Sequence, residues 1–138
     1  MAKRSRDPRI VTAKMCANAF FDAWKAKDWA GMLDHSQITW REETENPALW
    51  LHSNFGHLDL RCYTILDARA TGDCSVDVIA SMKAYTAHGS LRLRGDARAR
   101  VICEIGARDP SPDGTWGVNP ISVIGGGTNG SDKPAEGE

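Results

Sequence analysis

A change of hydrophobic period near Gly56 constrains this chain more than any other feature. From Leu58 to Ile105 apolar residues recur at every second position, in three runs separated by the turn signals "ATGD" and "AHGS". Period two marks strands with one buried face, and short turns between such runs join antiparallel neighbours. Leu58, Leu60, Cys62, Thr64 and Leu66 are expected on one face of the first strand, and Val76, Val78, Ala80, Met82 and Ala84 on one face of the second. The third strand would hold Leu91, Leu93, Ala97, Ala99, Val101, Cys103 and Ile105 on its core face, with a bend or bulge at Gly95 and Asp96. "ARDPSPDG" reads as a turn. "TWGVNPISVIG" reads as a last strand that lies at an edge or breaks at Pro120, which has no N–H for a ladder.

Ahead of Gly56 the period is helical. Asp7 before Pro8 is a cap-plus-proline start, and Ile10, Ala13, Ala17, Phe20, Phe21 and Trp24 then recur at spacings of three and four. Asp28 opens a shorter second helix through Met32 and Leu33. "SQITW" has the β-branched and aromatic residues of a short strand, and Asn46 and Pro47 start a third helix that stops at Gly56. Three helices followed by an antiparallel sheet form an α+β arrangement with the long helix packed across the sheet. One domain is expected over residues 7–124, flanked by a basic flexible N-terminus (1–6) and a flexible Gly-rich tail (125–138).

Composition narrows the function classes. Seventeen Lys plus Arg against eighteen Asp plus Glu leave no global field to attract nucleic acid or anionic membrane. No apolar run reaches the length of a membrane span, so a cytoplasmic protein is expected. Cys16, Cys62, Cys74 and Cys103 lie far apart without zinc spacing and are expected as inert or buried thiols. No phosphate loop, dinucleotide fingerprint, HExxH or nucleophile elbow occurs, so no cofactor or metal is expected.

The stretch "FFDAWKAKDWAGML" followed by "ITW" resembles the opening of the NTF2-like (SnoaL-like, cystatin-like roll) superfamily, and the order of elements matches over roughly residues 8 to 124. The resemblance implies a cone: three N-terminal helices packed on a curved antiparallel sheet of four to six strands, with a pocket open at one end. It also implies that enzymes of this kind place a few polar residues in that pocket. Their catalytic positions vary between subfamilies, so none transfers by motif.

The local candidates for an enzyme are Asp34 and His35 at the end of the second helix, and Tyr85 on the second long strand. Trp24 and Trp40 would line the pocket. Against this, His35 suits a helix C-terminus, where it meets the last carbonyls and the helix dipole. The tryptophans suit core packing. Arg92, Arg94, Arg98 and Arg100 alternate along the third strand opposite its apolar face, so they belong on the outside of the sheet. There they form a solvated face paired with Asp77 and Glu104, a protein interface, or a nucleic-acid surface. The last is disfavoured because no aromatic residue interleaves to stack bases. The expectation is a non-catalytic NTF2-like binding or scaffold module that self-associates as a homodimer or binds a protein partner, with a pocket for a small hydrophobic ligand. It carries no specific nucleic-acid or membrane binding. The alternative is a cofactor-independent SnoaL-like isomerase, cyclase or dehydratase acting on a small hydrophobic carbonyl compound.

Overall fold

The computed structural model describes residues 7–87, 89 and 91–125, with backbone alone over 91–94. The basic segment 1–6, His88, the tail beyond residue 125 and the side chains of Arg92 and Arg94 lie outside the described residues.

Among the described residues four helices precede the sheet, one more than expected. Helix α1 (Pro8–Ala26) starts where Asp7 accepts a hydrogen bond from the Arg9 amide at 2.9 Å, and it buries Ala13, Cys16, Ala17, Phe20, Phe21, Ala23 and Trp24. Helix α2 (Trp29–Asp34) is capped by Asp28, which accepts from the Gly31 amide at 3.0 Å. The "SQITW" stretch is not a strand: Ile38–Glu43 form α3. No local side chain caps this helix; the Glu104 carboxylate, brought by a distant strand, accepts from the Thr39 amide at 3.0 Å. That tertiary cap overrides the β propensity of Ile38 and Thr39. Only Ser36 keeps an extended pairing, a single parallel bridge to Val118. Helix α4 (Pro47–Phe55) starts at the expected Asn46 and Pro47, but Asn46 sits at φ 51° with no side-chain cap, so proline at the first turn sets the start.

The sheet contains β1 (Leu58–Gly72), β2 (Ser75–Thr86), β3 (Leu91–Gly106), β4 (Asp109–Pro110) and β5 (Thr115–Asn119). They run antiparallel in the order β1-β2-β3-β4, with β5 also paired to β3. The chain leaves the sheet at Pro120, where α5 (Pro120–Gly125) replaces the second half of the expected last strand. Asn119 Oδ1 accepts from the Ile121 amide at 3.0 Å there.

The expected faces of β2 and β3 hold: Val76, Val78, Ala80, Met82, Ala84, Ala97, Ala99, Val101 and Cys103 are all buried. Ile105 departs from them and is 58% exposed, at the end of the strand. Gly95 has φ +124°, yet the pairing with β2 runs unbroken through it. The register shift falls instead at Ala84 and Tyr85, opposite Leu93 and Leu91. In β1 a bulge between Leu60 and Cys62 shifts the pattern by one residue. Cys62, Thr64 and Leu66 therefore face outward while Tyr63 and Ile65 pack against the core, and a second shift between Ile65 and Asp67 returns Ala68 to the core face.

Between the helices and the sheet the interior is filled by rings. Phe55 meets Phe20 edge-on at 5.9 Å and Trp24 at 4.8 Å, and Trp40 meets Trp50 at 5.2 Å. Trp24 is 1% exposed, and its indole N–H donates to the carbonyls of Phe55 and Leu58, each at 3.2 Å. Each large side chain so buried contributes about 1.5–3 kcal/mol. The cluster fixes the cone around its own aromatic plug.

Candidate functional site

Three regions could carry function: the interior of the cone, the ends of the sheet, and its outer face. Trp24 and Trp40, candidates for pocket lining, are core residues packed against Phe55 and Trp50 respectively. The buried side chains of Ser36 and Gln37 are paired, whereas Arg41 Nε, next to Trp40 in α3, is buried without a hydrogen-bond partner among the described residues. Ser36 Oγ donates to the Met32 carbonyl at 2.8 Å, and Gln37 Nε2 donates to Glu104 at 3.1 Å.

The candidate acid–base residues do not converge. Asp34 is exposed, and His35 is the C-cap of α2 with a half-buried side chain. The His35 carbonyl accepts from the Val118 amide at 2.8 Å. His35 lines a hollow of about 460 Å³ with Thr12, Met15, Cys16, Thr115 and Trp116. Burial pushes the Cys16 thiol there up to about 12, so it stays protonated near neutral pH. Tyr85 lies at the other end of the sheet. Val118 pairs with Val101 and Val101 with Val76; Tyr85 is nine residues further along β2, roughly 30 Å of strand. The Tyr85 ring is covered by the Arg61 guanidinium at 4.5 Å. Beside it a cleft of about 320 Å³ is lined by Lys27, His57, Asp59, Arg61, Thr86 and Gly89. Asp59 lies 3.8 Å from both Lys27 and Arg61, which leaves a polar cleft of mixed charge.

The outer face of the sheet carries the arginine stripe. Arg100 grips Asp77 with two bonds, Nε to Oδ1 at 2.9 Å and Nη2 to Oδ2 at 3.1 Å, and Arg98 Nη1 lies 3.8 Å from the same carboxylate. The Asp77 side chain is only 10% exposed, and its hydrogen bond to Arg100 is the main reason that the guanidinium holds its proton more tightly than usual. Glu104, the second expected partner of the stripe, is a correction. It is 2% exposed and turns to α3, accepting from the Thr39 amide at 3.0 Å, the Thr39 hydroxyl at 2.5 Å and Gln37. At that end of β3 the carboxylate lies beside a helix start with free amides, and satisfying them outcompetes the arginines. This cap spans more than sixty residues of sequence, and no local motif announces it. Leu66, 54% exposed, and the half-buried Ile79 and Ile102 complete an outer face that also carries the Arg69–Asp67 ion pair at 2.9 Å, Lys83 and Asp96.

Among the described residues no cluster of three or more His, Cys, Asp or Glu side chains could hold a metal ion. No helix among them is long and apolar enough to cross a membrane.

No protein-family model and no curated protein sequence matches the chain. Solved structures do. A ketosteroid isomerase-like protein from Erwinia carotovora atroseptica is similar at TM-score 0.53 and 14% identity, over 81% of this chain and 92% of that one. A SEC-C motif containing protein from Psychrobacter arcticus aligns at TM-score 0.60 and 10% identity, covering 89% of this chain and 64% of its own. A SEC-C motif containing protein from Rhodopseudomonas palustris aligns at TM-score 0.55 and 14% identity, covering 83% and 80%. At such identities the likeness speaks for architecture alone. Together with the helices packed on a bent antiparallel sheet, it gives this chain an NTF2-like α+β fold.

Proposed function

We propose that this protein is a non-catalytic NTF2-like module that binds protein, in the first place a second copy of itself, through the outer face of its sheet. The observation that carries the reading is the filled cone. Catalysis on a small carbonyl compound needs a cavity with polar groups converging on one point. Here Phe20, Phe21, Trp24, Trp40 and Phe55 occupy the interior, and His35 and Tyr85 lie at opposite ends of the sheet. The outer face offers what an isologous contact requires. Its charges are of both signs, with Arg98, Arg100, Lys83 and Arg69 near Asp67, Asp77 and Asp96, and Leu66, Ile79 and Ile102 supply apolar area. Two such faces related by a twofold axis can set cation against carboxylate.

Sedimentation velocity tests this. The unmodified protein is expected to move toward a dimer as concentration rises, and Leu66→Glu is expected to stay monomeric with an unchanged circular dichroism spectrum. Monomer for both proteins at high micromolar concentration would refute self-association. Saturable binding of small hydrophobic ketones in the interior would return the enzyme alternative, with Asp34, His35 and Tyr85, to first place.

A further inference from the structure

The sequence places Cys74 and Cys103 far apart, and folding makes them neighbours. The β2–β3 register pairs Val76 with Val101 and Ser75 with Ile102, so the next step sets Cys74 opposite Cys103. The Cys103 amide donates to the Cys74 carbonyl at 2.9 Å, which continues the ladder to that step. Directly opposed residues of an antiparallel pair project to one face with α-carbons about 4.5–5.5 Å apart, inside the 4.4–6.8 Å range that a disulfide spans. Cys74 is half-buried in the β1–β2 turn and Cys103 is fully buried, so one thiol is accessible and the other shielded. The turn is held by α1: Arg9 Nη1 donates to the Gly72 carbonyl at 3.3 Å and lies 3.8 Å from Asp73.

We propose that Cys74 and Cys103 form a reactive dithiol that small-molecule disulfides convert to an intramolecular disulfide, with Cys74 as the attacking thiol and Cys103 as the resolving one. The Cys74 thiolate attacks one sulfur of the reagent, breaks its S–S bond and expels one thiolate, leaving a mixed disulfide on Cys74. Cys103 then loses its proton and attacks the Cys74 sulfur, forming the protein S–S bond and expelling the second thiol. Two electrons and two protons pass from the protein to the reagent, which leaves as two thiols. Burial of Cys103 does not block the second step, because its target sulfur is the neighbouring side chain. Burial pushes the Cys103 thiol up, and the Gly114 amide offsets only part of that, so this second step is the slower one at neutral pH.

The test is oxidised glutathione added to the reduced full-length protein, read by intact mass and by peptide mapping without reductant. The expected product has lost two hydrogens, apart from any glutathione carried on Cys62, and yields a peptide pair joining Cys74 to Cys103. The exposed Cys62 is an internal control that carries only a glutathione adduct. Cys103→Ala and Cys103→Ser are each expected to trap the adduct on Cys74 at an occupancy about tenfold above that of the unmodified protein. Cys74→Ser is expected to leave Cys103 reduced. A stable glutathione adduct on Cys74 of the unmodified protein, or cross-links that join other cysteines, would overturn the proposal. The unmodified protein decides the matter even if both Cys103 variants fail to fold.

Discussion

Replacing Glu104 with alanine tests whether a distant carboxylate holds α3 in place. The substitution removes the acceptor for three donors: the Thr39 amide at 3.0 Å, the Thr39 hydroxyl at 2.5 Å and Gln37 Nε2 at 3.1 Å. The hydroxyl can rotate to another acceptor, so the charge falls mainly on the amide and on the buried Gln37 side chain. Each buried donor left unpaired costs about 1–3 kcal/mol, so the two together give roughly 2–6 kcal/mol for Glu104→Ala, with a middle value of about 4 kcal/mol. Glu104→Gln keeps the volume and one acceptor but points an amide at a donor; about 1–2 kcal/mol is expected. At roughly 3–4 °C per kcal/mol for a chain of this length, the alanine variant melts roughly 10–15 °C lower. Urea unfolding followed by tryptophan fluorescence reads the difference, with the slope against urea unchanged if only the native state is affected. A loss below about 1 kcal/mol, the scale of an ordinary surface substitution, would refute the capping argument.

The Cys16 thiol, raised from 9.0 to about 12 by burial, binds its proton more tightly in the folded chain. Its stabilisation is therefore complete below pH 9 and lost as pH climbs toward 12, at up to about 1.4 kcal/mol per pH unit; Cys16→Ala is expected to flatten that slope in alkaline urea titrations. A β-carbon on Gly117 would lie 2.6 Å from the Ser36 carbonyl oxygen and 2.7 Å from Gln37 backbone atoms, so Gly117→Ala must push β5 away from the α2–α3 link. A destabilisation of about 2 kcal/mol or more is expected by thermal melting. On the outer face Arg98→Gln is expected to cost about 0–1 kcal/mol, and Arg100→Gln about 1–3 kcal/mol because it leaves the nearly buried Asp77 without its two-bond partner. Equal effects would contradict the geometry.

The sequence made the sheet legible where one rule acted alone. Along β2 and β3 strict alternation predicts burial, because the pleat gives each side chain one of two faces and the core takes one of them. The same rule misplaces Cys62, Thr64 and Leu66. One bulged residue after Leu60 inverts the faces until a second shift between Ile65 and Asp67 restores them, and nothing in "LRCYTILD" announces either. Helix α3 was hidden for a different reason. Its residues prefer strand locally, and its cap comes from β3, whose approach only the finished fold supplies. The same long reach conceals the true role of Glu104 and the meeting of Cys74 with Cys103. The helix starts at Asp7 and Asp28 were readable because donor and acceptor lie within three residues of each other.

The cone is closed by its own aromatic residues, and the indole N–H of Trp24 reports on that directly. It is buried and shared between the carbonyls of Phe55 and Leu58. In a proton NMR titration with small hydrophobic ketones, its resonance is expected to stay fixed at every ketone concentration and to exchange with deuterium only as the whole domain opens. Rapid exchange in the native state, or a saturable shift on adding ketone, would mean that the cone is open to ligand and would contradict the account.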